Sequence, residues 1–245
     1  MKLQLLGTAG YHPTRTRHTA GLFLPEVGVA LDAGTGFFRV RDLLATDSLD
    51  IFLTHAHLDH VFGLTYLLDT VWGKTVRVRT HGLPEKLTAV REQLLSEHLF
   101  PVALPTEWAP LTSSVELRDG GKLTSFPLPH AGGSLAFRLD WPGHSLAYVT
   151  DTTATADAPY LDFIRGVDLL VHECNFTDDL AEWAVKTGHS HTTPVAELAA
   201  KANVGRLVLT HVNPLADDTD PVNLAAARRL FPRTELGRDE QVWEF

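Results

Sequence analysis

Thr54-His55-Ala56-His57-Leu58-Asp59-His60 is the stretch that most restricts what this chain can become, because it sets three imidazoles and a carboxylate directly behind the apolar run Ile51-Phe52-Leu53. A strand that ends in such a cluster carries its side chains to the rim of a sheet, where an ion can reach them. In extended backbone His55 and His57 are two apart, so they point the same way and can grip one ion. A helix beginning at Leu58 would turn Asp59 and His60 away from that pair, towards a second ion. Three later segments end alike: Phe126-Pro127-Leu128-Pro129-His130, Leu146-Ala147-Tyr148-Val149-Thr150-Asp151 and Arg206-Leu207-Val208-Leu209-Thr210-His211. Alone, each terminal residue reads as a cap or turn. Together with the cluster they give seven candidate ligands: His55, His57, Asp59, His60, His130, Asp151 and His211.

The remainder of the chain is consistent with one large domain, residues 1–245, with 44% hydrophobic residues to fill its core. Short β-branched or Leu-rich runs bounded by Gly, Pro or Asp predict strands at 2–6, 20–24, 28–32, 50–54, 75–80, 114–117, 123–128, 134–140, 145–150, 167–171 and 206–210. Helical patterns fit 36–45, 62–71, 84–97, 158–165, 178–186, 193–203 and 221–230, with Thr193 as a cap and Pro194 in the first turn. Recurring helices among many strands imply an α/β fold, sheets covered by helix layers. No run of eighteen apolar residues suggests a membrane span, and the N-terminus reads as a first strand rather than a signal peptide. The single cysteine, Cys174, fits a reducing, cytoplasmic setting and reads as a small buried side chain. A formal charge of -9 argues against a broad nucleic-acid footprint, although Arg15, Arg17 and His18 could hold a phosphate locally.

His55-x-His57-x-Asp59-His60 followed by His130, Asp151 and His211 resembles the full ligand set of the metallo-β-lactamase superfamily. The resemblance implies a four-layer αββα sandwich with a binuclear metal site at the sheet edge. It assigns His55, His57 and His130 to one metal, Asp59, His60 and His211 to the second, and Asp151 to a bridging position. Imidazole and carboxylate donors suit two Zn2+ ions, with Mn2+ or Fe2+ also compatible. Two such cations can clamp the oxygens of a displaced ester and lower the pKa of water towards 7. His57 stands where di-iron redox members typically carry a glutamate, which favours hydrolysis.

Two further segments resemble the ribonuclease Z branch: Val171-His172-Glu173-Cys174-Asn175 and Gly188-His189-Ser190-His191. That likeness implies catalytic roles for His189, as the acid protonating the leaving oxygen, for Glu173 as its partner, and for Asp59 in orienting the attacking water. Leu6-Gly7-Thr8-Ala9-Gly10, Pro13-Thr14-x-x-Arg17-His18 and Leu31-Asp32-Ala33-Gly34 also resemble that branch. Gly7, Gly10, Gly34 and Gly36 read equally as turn glycines or as phosphate contacts. His172 and His191 read as structural, and His12, His18, His81, His98 and His144 have no metal-like spacing.

The chain also departs from ribonuclease Z. Only twenty residues separate His130 from Asp151, enough for a hairpin but not for the tRNA-gripping arm of long-form enzymes. Val212-Asn213-Pro214 follows His211 where a Ser-Arg-Tyr-like ending is usual. Hence the expected function is a zinc-dependent phosphodiesterase acting on a small or cyclic phosphodiester or a short nucleic acid. A tRNA 3′-processing endoribonuclease, a sulfatase, lactonase or thioesterase, and a non-catalytic metal-binding regulator are the alternatives. The segment 72–112, with Trp72, Phe100 and Trp108, reads either as a pocket wall or as core. A homodimer is the assembly that the resemblance suggests.

Overall fold

The computed structural model describes residues 1–216 and 219–245. Its contacts divide it into two compact units, Met1–Ser113 with Asp239–Glu244, and Ser114–Arg238 with Phe245. The first unit is a seven-stranded sheet of β1 (Lys2–Gly7), β2 (Gly21–Leu24), β3 (Val29–Leu31), β4 (Ser48–Phe52), β5 (Arg77–Gly82), β6 (Glu107–Pro110) and the C-terminal β14 (Val242–Glu244). Its order is β14-β1-β2-β3-β4-β5-β6. Pairing is antiparallel from β14 to β3 and parallel from β3 to β6. Helices α1 (Val40–Leu43), α2 (Leu58–Val61), α3 (Leu67–Thr70) and α4 (Pro84–Ala89) are short, and Val40, Val61, Leu67 and Leu87 from them join Phe23, Ile51 and Leu53 in one apolar cluster.

The second unit holds β7 (Ser114–Glu116), β8 (Lys122–Leu128), β9 (Ser134–Trp141), β10 (His144–Val149), β11 (Leu169–Glu173), β12 (Arg206–Thr210) and β13 (Thr234–Leu236), in the order β13-β12-β11-β10-β9-β8-β7. Pairing is again antiparallel from β7 to β10 and parallel from β10 to β13, so each unit repeats the same arrangement. All five residues of β11 are buried, as expected of a central parallel strand covered on both faces. Helices α5 (Ala181–Thr187), α6 (Thr192–Lys201) and α7 (Leu224–Leu230) complete this unit, with Val195, Leu198 and Ala199 of α6 packed among Ala147, Val149, Leu170 and Leu207.

Three departures from the sequence expectations have physical causes. Strands β6, β13 and β14 escaped the pattern because each is three or four residues long and lies at a sheet edge, where alternation is weakest. Residues 158–165 form successive turns rather than a helix; Pro159 removes a donor there, and the Leu161 amide bonds only three residues back, to Ala158. Thr193 does not cap α6 but lies inside it. Asp178 takes the capping role from outside, accepting from the Thr193 amide at 2.8 Å and its hydroxyl at 2.7 Å. The interval from His130 to Asp151 holds just the β9–β10 hairpin.

Candidate metal centre

In the first unit the donors sit beyond the carboxyl ends of two adjacent parallel strands, β3 and β4, where open sheets place their ligands. Asp32 immediately follows β3 with φ of 60°, a left-handed conformation that costs a non-glycine residue about 1 kcal/mol or more. Its fully buried carboxylate accepts from the Thr54 amide at 2.8 Å, from the Thr54 hydroxyl at 2.9 Å, and from His60 Nδ1 at 2.7 Å. His55 Nδ1 lies 3.0 Å from Thr54 Oγ1, which accepts from it while donating to Asp32. One buried carboxylate thus fixes both rings with Nδ1 protonated and Nε2 as the electron-pair donor. The ring of His55 is 4.4 Å from that of His57 and 4.3 Å from that of His60.

Helix α2 starts at Leu58, as the spacing predicts, with His57 as its N-cap residue. His60 Nε2 faces Asp59 Oδ2 at 3.4 Å, and the same oxygen accepts from the Tyr11 amide at 2.8 Å. Gly34 lets this loop close, because a Cβ there would stand 2.5 Å from the carbonyl oxygens of both Ala20 and Asp59. The same close approach accounts for Gly7 and Gly36, whose Cβ atoms would meet the Thr19 and Leu6 oxygens at 2.0 Å. These three are packing glycines.

In the second unit Asp151, Glu173 and His211 stand at or just beyond the carboxyl ends of the adjacent parallel strands β10, β11 and β12. Asp151 and His211 are left-handed, with φ of 49° and 55°. Asp151 Oδ2 lies 3.3 Å from His130 Nε2, and its Oδ1 lies 3.2 Å from His211 Nε2. His130 donates through Nδ1 to the Gly188 carbonyl at 3.1 Å, so its Nε2 presents an electron pair to a carboxylate. Donor atoms facing one another in this way suit a cation, and the same holds for His60 and Asp59. The chemistry of both donor sets therefore fits a divalent metal site.

Glu173 is fully buried, yet its carboxylate is well supplied: it accepts from the Thr152 amide at 2.9 Å, the Ser190 amide at 3.1 Å and His189 Nδ1 at 3.1 Å. This pins the His189 loop to β11 and makes Nε2 the outward nitrogen of His189. Asp151, His189 and His211 offer ligand atoms within 4.8 Å of one another, so geometry alone admits His189 as a further donor.

A model of the beta-lactamase superfamily domain matches residues 29–212, three quarters of the chain. The chain belongs to the beta-lactamase superfamily. Its fold is the metallo-β-lactamase fold: the YhfI protein of Bacillus subtilis, described by that fold, superposes with a TM-score of 0.80 over 99% of both chains at 19% identity. The short form of human tRNase Z superposes with a TM-score of 0.74, covering 100% of this chain and 99% of that one at 22% identity. In sequence this superfamily member is ribonuclease Z-like. It is 28% identical to a protein named ribonuclease Z from Synechococcus strain WH7803, over 98% of this chain and 94% of that one. That alignment runs to 308 positions against about 240 aligned residues of this chain, so roughly seventy positions of the relative face gaps here.

Several other sequence expectations can be placed. His172 is a core residue: Tyr160 donates its hydroxyl to Nε2 at 2.9 Å, Nδ1 donates to the Glu173 carbonyl at 2.7 Å, and burial pushes its pKa down. His191 donates to Asp178 at 2.6 Å beside the start of α6. Cys174 is fully buried, and burial pushes its thiol pKa up, which makes it inert. Of Arg15, Arg17 and His18, the latter two make local contacts within the fold. Arg17 is 3% exposed and donates to Thr8 Oγ1 at 2.7 Å, while burial and the nearby Arg39 hold His18 below the ordinary imidazole range. Trp108 packs on the core of the first unit, whereas Trp72 is 74% exposed. The sequence reading missed the orienting role of Asp32 and Thr54; the one signal was that Asp32 ends the predicted strand just before the one that leads into the histidine cluster.

Proposed function

We propose that the two donor sets complete one binuclear centre and that the chain, acting as a single catalytic domain, hydrolyses a small or cyclic phosphodiester. His55, His57 and His130 would hold one ion, and Asp59, His60 and His211 the other, with Asp151 shared. Zn2+ suits these donors best, and Mn2+ or Fe2+ are chemically compatible. When bound, such a pair supplies Lewis-acid stabilisation of phosphoryl oxygens and a lowered pKa for water. The observation that carries the reading is the convergence of two imidazole nitrogens on the Asp151 carboxylate at 3.2 and 3.3 Å, with His130 Nε2 facing it as an electron-pair donor.

The chain's own groups supply the remaining roles. Asp59, held by the Tyr11 amide, orients the attacking water through its carboxylate. His189 delivers a proton from Nε2 to the departing alkoxide, while Glu173 accepts from Nδ1 and stabilises the charged ring. Superfamily membership and the ribonuclease Z-like sequence support hydrolysis of a phosphodiester. The short β9–β10 hairpin and the acidic balance favour a small substrate over folded tRNA. Among the described residues no helix is long and apolar enough to cross a membrane, which agrees with a cytoplasmic enzyme; a homodimer is checked by sedimentation.

The test is turnover by the metal-loaded protein of bis-p-nitrophenyl phosphate, 2′,3′- and 3′,5′-cyclic nucleotides, p-nitrophenyl sulfate, a lactone and a tRNA precursor. Hydrolysis of the small diesters is the expected result. Inert diesters with active sulfate or lactone would move the same centre to the alternative chemistry, and metal binding with no turnover would favour a regulator.

A further inference from the structure

The connection from β1 to β2 runs from Thr8 to Ala20, far longer than the roughly two to five residues of an ordinary hairpin loop. Its stem is closed by backbone, with the Thr8 and Ala9 amides both donating to the His18 carbonyl at 2.9 Å. Further out, Tyr11 is left-handed, with φ of 61°, and its amide donates to Asp59 Oδ2 at 2.8 Å. A donor that meets a candidate ligand from so long a loop is only as well placed as the stem of that loop.

What fixes the stem comes from the far end of the chain, within the same unit. Strand β14 runs antiparallel to β1, and the Glu240 amide donates to the Leu5 carbonyl at 2.8 Å, which brings Asp239 beside the end of β1. The Asp239 side chain is 5% exposed. Its Oδ1 accepts from the Thr8 hydroxyl at 2.8 Å, and its Oδ2 accepts from the His18 amide at 2.7 Å and from Arg39 Nη1 at 2.9 Å. Both sides of the stem thus end on one carboxylate. Arg17 extends the network by donating to Thr8 Oγ1 at 2.7 Å, and Arg39 also donates to the Leu6 carbonyl. Burying a carboxylate costs solvation. Here three donors, one of them a guanidinium, offset that cost, and charge-assisted bonds of this kind are stronger than neutral ones.

We propose that Asp239 is a positioning residue for the candidate centre: by locking the stem of the Thr8–Ala20 loop, it holds the Tyr11 amide against Asp59. The proposal rests on the reading of Asp59 as a ligand of the second ion. With the amide in place, the Asp59 carboxylate is oriented before an ion arrives. With the stem loose, ordering of the carboxylate accompanies binding and weakens it.

Asp239→Asn keeps the shape of the side chain but gives up the charge that faces Arg39 and turns one acceptor into a donor. Two measurements on the full chain test the proposal: amide hydrogen exchange at Tyr11 in the metal-free protein, and stepwise titration with Zn2+. In the variant the Tyr11 amide should exchange about tenfold faster, while the amides of β11 exchange as in the parent. One zinc equivalent should bind as it does in the parent and the other about tenfold more weakly, the low end of what the loss of an outer partner costs. Glu244→Gln, further along the same C-terminal strand, should change neither readout. Unchanged exchange at Tyr11 overturns the positioning role. So does faster exchange with both equivalents bound as before, or with both weakened alike, which is what a merely structural part for Asp239 would give. A parent that takes up a single equivalent, or none, defeats the binuclear reading instead; the clamp then stands or falls on the Tyr11 exchange alone.

Discussion

At the scale of single residues, the candidate centre is ordered by groups outside the seven proposed ligands. Asp32 is the clearest, since it orders His60 directly and His55 through Thr54. Asn tolerates the left-handed backbone at this position, so Asp32→Asn should fold but lose the carboxylate that holds both imidazole tautomers. Its zinc affinity should fall about 10- to 100-fold in a chelator competition. Unchanged affinity would mean that the histidines orient themselves. His189 is the other informative residue, because its distance to Asp151 and His211 admits a ligand role as well as an acid role. His189→Ala should keep its full metal content and slow hydrolysis by about 100-fold or more, most for diesters with poor leaving groups. If metal is lost, or if the slowing ignores the leaving group, the proton belongs elsewhere.

At the scale of elements, the carboxyl ends of the parallel strands are where sequence and site coincide. Helix α5 ends at Gly188, which is left-handed at φ of 75° and gives its carbonyl to His130. An added Cβ would approach His130 Nδ1 to 3.1 Å. Gly188→Ala should therefore cost about 1 kcal/mol in urea unfolding and weaken zinc binding, whereas a surface glycine control should affect neither. Strands β4 and β5 are tied by Asp50, which lies 2.7 Å from both His81 Nε2 and Arg79 Nε. Burial alone would raise the Asp50 pKa, but its bonds to His81 and Arg79 outweigh that and hold it below the usual carboxylate range. A depressed folded pKa stabilises the fold above the unfolded value of about 3.9 and is lost as pH falls through and below it. Asp50→Asn should lose about 1–2 kcal/mol at pH 7 and show a flatter decline in stability below about pH 5.

These elements also show how far the sequence could be read. The strands that carry donors were legible because β4, β10 and β12 are apolar runs that stop at a histidine or carboxylate. The first-unit candidate donors stood out because four of them fall within six positions. Asp32 looked like any carboxylate closing a strand, and its role depends on the β3–β4 register, which no local pattern reveals. Thr193 misled because a favourable cap residue stood at the second position of a helix that Asp178 caps from a distance.

At the scale of the whole molecule, the proposed ligands are divided by sequence, with His55, His57, Asp59 and His60 in the first unit and His130, Asp151 and His211 in the second. Removing bound metal should therefore lower the thermal midpoint by mass action, and returning Zn2+ should restore it in a concentration-dependent way. Asp151→Ala, which removes the carboxylate proposed to be shared, should bind less metal and lose nearly all activity. The most direct measurement is a stepwise Zn2+ titration of the metal-free protein, with hydrolysis of bis-p-nitrophenyl phosphate followed at each addition. Activity rising to its maximum at two equivalents per chain is the predicted result; full activity at one equivalent, or no hydrolysis at any occupancy, would contradict a binuclear phosphodiesterase.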